Sequence, residues 1–270
     1  MDSETPPLPV CVKCGATLRA ASHFCARCGT RSSQAEQDPS AVTETAGPAK
    51  DQWVPEPGPS KDPWRGLQVV GWLYGLLMLA SLIFGIAYSV QPDGDFVLWA
   101  TLAHSLVIAG FAFPHRAEVL PLLRPATFDG NARKKLAIAA AIQFVALGMV
   151  FYLMEMVGVP FERITDDMAR HDYSLWQLLA LYSLVPAVFE EIAFRGVIFD
   201  RFRRVLGDRE GWLVQAAFFS VLHLSPVIFP THFAMGLIFG WLRMRTGSLI
   251  PGMVLHAAWN AAVILLELYR

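Results

Sequence analysis

The stretch Phe189-Glu190-Glu191-Ile192-Ala193-Phe194-Arg195 lies within an apolar run from Leu175 to Phe199 and brings to it its only three charged residues. A charge near a bilayer centre costs roughly 2.5–3.5 kcal/mol on insertion scales, so two carboxylates and a guanidinium together need a reason. One reason is bland: with Arg201, Arg203 and Arg204 close behind, the cluster marks a helix end at the lipid headgroups. The other is a polar site inside the membrane. Glu191 and Arg195 stand four apart, on one helical face and within pairing reach. Glu190 is turned about 100° from Glu191 and points elsewhere, toward whatever cavity the bundle leaves.

The chain around this run is too apolar for an ordinary soluble domain. Of its 270 residues 54% are hydrophobic and only 17% charged, with a mean hydropathy of +0.40. A net charge of −1 leaves no basic footprint, so no nucleic-acid partner is expected. The apolar excess is uneven: residues 1–66 are polar, and nearly all long apolar runs fall in 67–268. The first run of spanning length starts near Leu67, so no signal peptide is expected and residues 1–66 read as a soluble extension.

That extension holds all four cysteines. Cys11-Val12-Lys13-Cys14-Gly15 is followed by Cys25-Ala26-Arg27-Cys28-Gly29, two knuckles each closed by glycine. Four thiolates so spaced can close a tetrahedral shell around one structural Zn²⁺, with Phe24 as a small apolar floor. A pair of disulfides would instead require an oxidising compartment. The pattern resembles a bacterial-type zinc ribbon over about residues 10–31, offering a surface for a protein partner and nothing catalytic. Residues 32–66 combine Pro, Ser, Glu and Gly and read as a flexible linker, with Trp64 and Arg65 suited to anchor at the headgroups.

Seven runs approach spanning length: about 67–90, 96–113, 134–158, 175–198, 211–229, 231–246 and 248–268, the second and sixth short. The expected architecture is thus an all-α, polytopic membrane bundle in contact with lipids, comprising residues 67–270. Arg116, Arg124, Arg133, Lys134 and Lys135 follow the second run, Arg201, Arg203, Arg204 and Arg209 the fourth, and Arg243 and Arg245 the sixth. The alternate loops carry little positive charge, so the N-terminus is expected in the cytosol and the C-terminus outside. The thiolates then sit in the reducing compartment, which favours zinc. Gly236 and Gly240 read as a close helix contact, Pro186 as a bend in the fourth run, His104 as an interhelical hydrogen-bonder and Glu155 as interfacial.

Two later runs carry polar groups at helical repeat: Phe219 with His223, and His256 with Asn260. At about 1.5 Å per residue, Glu190, Glu191, His223, His256 and Asn260 all fall roughly 10–18 Å from the cytosolic ends of their spans. Carboxylate, imidazole and amide in one layer suggest more than polar glue.

Glu-Glu-x-x-x-Arg (Glu190, Glu191, Arg195), Phe-x-x-x-His (Phe219, His223) and His-x-x-x-Asn (His256, Asn260) resemble, in order and spacing, the three motifs of the CPBP family. That family contains the type II CAAX prenyl proteases and bacteriocin-processing or immunity proteins. The resemblance covers about residues 135–268 and includes Thr246-Gly247-Ser248-Leu249-Ile250-Pro251. It implies peptide-bond hydrolysis inside a membrane, with Glu190 and His223 activating a water, Glu191 steadied by Arg195, and His256 with Asn260 polarising the carbonyl. The residue types suit that chemistry. A carboxylate in an apolar site beside a second carboxylate can act as a base near neutral pH, and Asn and His donors stabilise an oxyanion. Two His and a Glu could also hold a catalytic zinc, although no His-Glu-x-x-His pattern is present, so a catalytic metal stays open. The substrate implied is a membrane-associated protein or peptide, prenylated or not. The competing readings are a non-catalytic protein of the same fold that binds a partner or confers bacteriocin immunity, and an ion or proton carrier lined by Glu190, Glu191 and His223. The bacterial cell membrane is the expected location.

Overall fold

The structure, a computed structural model, describes Val10 and residues 62–91, 96–125, 130–158 and 172–269. The chain divides into two compact units, residues 1–50 and 51–270, and the described helices all belong to the second. Cys11, Cys14, Cys25 and Cys28, and the linker up to Lys61, lie outside the described residues.

Every described element of this second unit is helical. Helix α1 (Pro63–Val90) begins four residues before Leu67 because Asp62 caps it, its Oδ1 accepting the Arg65 N–H at 3.1 Å. Pro63 fits the first turn, where its missing N–H costs nothing. Helices α2 (Phe96–Ala112) and α3 (Arg116–Val119) follow, α3 running on as a 3-10 turn, Leu120–Leu123. Next come α4 (Gly130–Val157), α5 (Leu175–Leu206), α6 (Asp208–Leu222), α7 (Phe229–Thr246) and α8 (Ile250–Leu268). In α1 the buried residues are Val70, Leu73 and Leu77, while Trp72, Ile83 and Ile86 are exposed. The outward faces of α1 and α4 are therefore apolar as well as the inward ones, which suits a hydrocarbon surround.

Among the described residues four helices are long and apolar enough to cross a membrane: α1, α4, α5 and α8. Helix α2 and the α3 segment, bent by 94° at their break, pass the same test only as a pair, as one broken span or a re-entrant loop. Each of the seven expected runs contains a helix, but α6 and α7 fall short as spans. Helix α6 has 15 residues, about 22 Å against a hydrocarbon core near 30 Å. The run 211–229 reads as continuous because Leu224, Val227 and Ile228 are apolar, yet the helix stops at Leu222 and Leu224 takes a positive φ of 52° ahead of Pro226. Helix α7 has 18 residues but carries Arg243 and Arg245 in its last turn. The two form a tight hairpin. A Cβ on Gly236 would come within 2.7 Å of the Ala216 Cα, and one on Gly240 within 2.6 Å of Gln215 Nε2 and Trp212 Cδ1. Gln215 and Trp212 donate to the carbonyls of Gly236 and Leu237, at 2.8 and 2.7 Å.

Fully buried Phe194, Phe199, Phe219, Phe239, Met235 and Leu242 fill the space between α5, α6 and α7. The basic connections gather at one end. Glu118 lies 3.2 Å from Arg204 and 3.6 Å from Arg201, Asp200 lies 3.2 Å from Arg243, and Arg203 pairs with Asp208. The Leu249 N–H donates to the Leu122 carbonyl at 2.7 Å, and the Ser248 hydroxyl to the Arg124 carbonyl at 2.5 Å.

Candidate active site

Helix α5 does not run as a uniform α-helix. Two π-helical segments, Leu179–Leu184 and Ile192–Ile198, bracket the seven-residue α-helical piece Val185–Glu191 that carries the glutamates. In the first, the Val185 N–H reaches back five residues to the Ala180 carbonyl. Pro186, which donates no N–H, follows directly, so the bend expected at this proline takes the form of a wider turn. Such π turns recur at functional sites. Ser183 then donates to the Ala257 carbonyl at 2.7 Å, tying this piece of α5 to α8 beside His256.

The expected pair forms: Arg195 Nη1 donates to Glu191 Oε1 at 2.7 Å, both side chains essentially unexposed. The guanidinium is boxed by aromatic rings, 4.3 Å from the Phe219 centroid and 5.1 Å from that of Phe239. His256 sits between the carboxylates, Nδ1 3.5 Å from Glu191 Oε1 and Nε2 3.9 Å from Glu190 Oε2. Helix α8 comes this close because residue 252 is glycine: a Cβ there would lie 2.6 Å from Glu191 Oε2.

Glu190 turns away from this pair, as its spacing predicts, and lines a cavity of about 420 Å³ with His223, His104, Ser81 and Tyr88. On the far side of His223 a second cavity, about 310 Å³, is lined by His223, His232, Thr231, Trp259 and Asn260. The imidazole of His223 thus belongs to the walls of both. It ends α6, where irregular backbone from Leu224 to Ile228 begins; at membrane depth such backbone is tolerated where it lines a cavity. Its Nδ1 lies 2.9 Å from the Phe219 carbonyl, an acceptor only, so Nδ1 carries the proton and Nε2 presents a lone pair.

All six expected residues are brought to one region. Glu190, His223 and Asn260 line cavities; Glu191, Arg195 and His256 form the buried support behind them. Phe219 is the hub, its ring 5.1 Å from His223, 5.8 Å from His256 and 6.0 Å from His232. His232 is the residue that spacing missed. Its ring centroid lies 4.0 Å from that of His223, and its Nδ1 lies 3.0 Å from the Ile228 carbonyl, the same tautomer-setting contact. Across a turn no periodicity links residues 223 and 232; the available signal was a lone ionisable group in an apolar run. His104 is hydrogen-bonded as expected, Nε2 3.2 Å from Ser81 Oγ and 3.1 Å from the Leu77 carbonyl, and it also faces Glu190's cavity.

Residues 172–262 match the family described as type II CAAX prenyl endopeptidase Rce1-like, a stretch that contains all three motifs. Comparison with curated proteins and with solved structures gives no match. The glutamates on α5, the imidazole ending α6 and the His-x-x-x-Asn face of α8 are all drawn from that stretch, so it is residues 172–262 that are similar to the Rce1-like membrane peptidases.

Proposed function

We propose that the chain is an intramembrane endopeptidase that hydrolyses a peptide bond of a membrane-associated protein or peptide. The observation that supports this best is that Glu190 and His223 wall one cavity, with the buried Glu191–Arg195 pair fixing the helix behind them. In this reading a water lies between Glu190 and His223 Nε2. Glu190 takes one of its protons, the oxygen attacks the carbonyl carbon, and the C–N bond breaks as Glu190 passes the proton to the leaving nitrogen. Asn260, on the wall of the adjoining cavity, donates to the oxyanion. His256 is only 3% exposed and lies between the carboxylates of Glu190 and Glu191, one turn from Asn260.

Among the described residues no three His, Cys, Asp or Glu side chains converge as a metal site, and each of these steps uses protein groups alone. The four cysteines are proposed to hold one structural Zn²⁺, in a ribbon that serves a protein partner in the cytosol. The test is cleavage of a membrane-embedded reporter, with C-terminal peptides mapped by mass spectrometry in cells carrying wild type or Glu190→Gln. The variant should be folded and silent. Full cleavage by a well-folded Glu190→Gln chain removes Glu190 as the base.

A further inference from the structure

At the arginine-rich end a third cavity, about 230 Å³, lies between the start of α1, the bend after α2 and the end of α5, away from the glutamates. It is lined by Asp62, Arg65, Gly66, His115, Arg201 and Arg204, among others. Three features make it suited to an anion. Its wall includes a charged side chain almost wholly withdrawn from the surface: Arg201 is 6% exposed, held by Nη1 donating to the Val197 carbonyl at 3.2 Å. Among the described residues Arg201 and Arg204 share the carboxylate of Glu118, which His115 also approaches at 3.6 Å, and the buried Arg204 Nε has no hydrogen-bond partner. The N-terminus of the 28-residue α1 also opens here, adding the positive end of a helix dipole. Asp62, the one acid on the wall, is engaged in capping that helix. Next to the cavity, Trp64 is 69% exposed at the start of a spanning helix, which sets this end at headgroup depth.

We propose that this cavity binds a phosphate group, supplied by an anionic lipid headgroup of the adjacent leaflet or by phosphate from solution. A phosphate there bridges α1 to α5 through Arg65 and Arg204, at the opposite end of α1 from Ser81 and Tyr88 on the wall of Glu190's cavity. The site does not depend on the peptidase reading.

The test uses the full chain in detergent, titrated with short-chain phosphatidylglycerol, phosphatidylcholine of the same chains, and inorganic phosphate, with bound species counted by native mass spectrometry. Phosphatidylglycerol should be retained as one tightly held molecule and phosphatidylcholine should not. Arg204→Gln and Arg65→Gln should each weaken retention about fivefold, the loss expected for one cation near an anionic headgroup. Arg65 is exposed, so its variant does not threaten the fold, and Arg133→Gln, outside the cavity, should change nothing. If millimolar phosphate displaces the lipid and is itself retained, the ion from solution is the ligand; if the lipid stays, the headgroup is. Equal retention of the two lipids together with no phosphate binding, or equal binding by wild type and both cavity variants, overturns the proposal.

Discussion

Gly252 offers the sharpest test of how the site is held. A methyl group there would meet Glu191 Oε2 at 2.6 Å and Cδ at 3.3 Å, where ordinary contact begins near 3.4 Å. The carboxylate must therefore retreat by about 0.8 Å, and a retreat along the Arg195 contact would stretch the 2.7 Å bond to about 3.5 Å, beyond hydrogen-bond reach. A free glutamate would swing aside at little cost. This one is 1% exposed and hydrogen-bonded to Arg195, with the His256 ring packed 3.5 Å away, so it has little room to move. Overpacking of this kind costs about 1–3 kcal/mol, and a displacement near 1 Å at an active site can cost about 10²-fold in rate. Gly252→Ala should thus lower both the melting temperature in detergent and the turnover of each folded molecule. Gly236→Ala is the contrast: its methyl strikes the Ala216 backbone at 2.7 Å, so stability should fall while folded molecules keep their turnover. A Gly252→Ala protein with wild-type turnover and melting would show that Glu191 is loosely held and that the buried pair does not set the geometry.

Arg195→Ala leaves Glu191 buried without its partner and should cost about 3–5 kcal/mol, read as lost folded protein in a detergent melt. Asn260→Ala should lower turnover about 10²–10³-fold, measured on the membrane-embedded reporter, and His256→Ala should lower it too by removing the imidazole that lies between the two carboxylates. His232→Phe keeps the ring packing against Phe219 but removes the second imidazole beside His223; turnover and its pH profile should change while His232→Gln recovers part of the rate. A cysteine placed at Ser33 should be labelled only from the cytosolic side and one at Asp93 only from outside, and the reverse pattern overturns the orientation. Elemental analysis of the purified full chain should find one zinc, lost when Cys11, Cys14, Cys25 and Cys28 are replaced by serine.

What sequence alone determined is local or periodic. Long apolar runs announced a membrane bundle because hydrocarbon leaves a chain no other way to satisfy its backbone than helices or closed barrels, and α1, α4, α5 and α8 meet that demand. The four-residue spacing of Glu191 and Arg195 sufficed to foresee their pairing, since neighbours on a helix meet whatever surrounds them. Three motifs in order named the residues that the fold then gathers. Only the tertiary structure decided how those residues divide. His256 lies behind the glutamates while Asn260, one turn on, lines a cavity, because Gly252 lets α8 press against Glu191. The π turns flanking Val185–Glu191 respond to packing as well as to Pro186, and no periodicity encodes them. The early end of α6 set His223 at a turn and brought His232 to 4.0 Å from it. A contact across a turn between two short helices depends on how they pack, and hydropathy carries no trace of it.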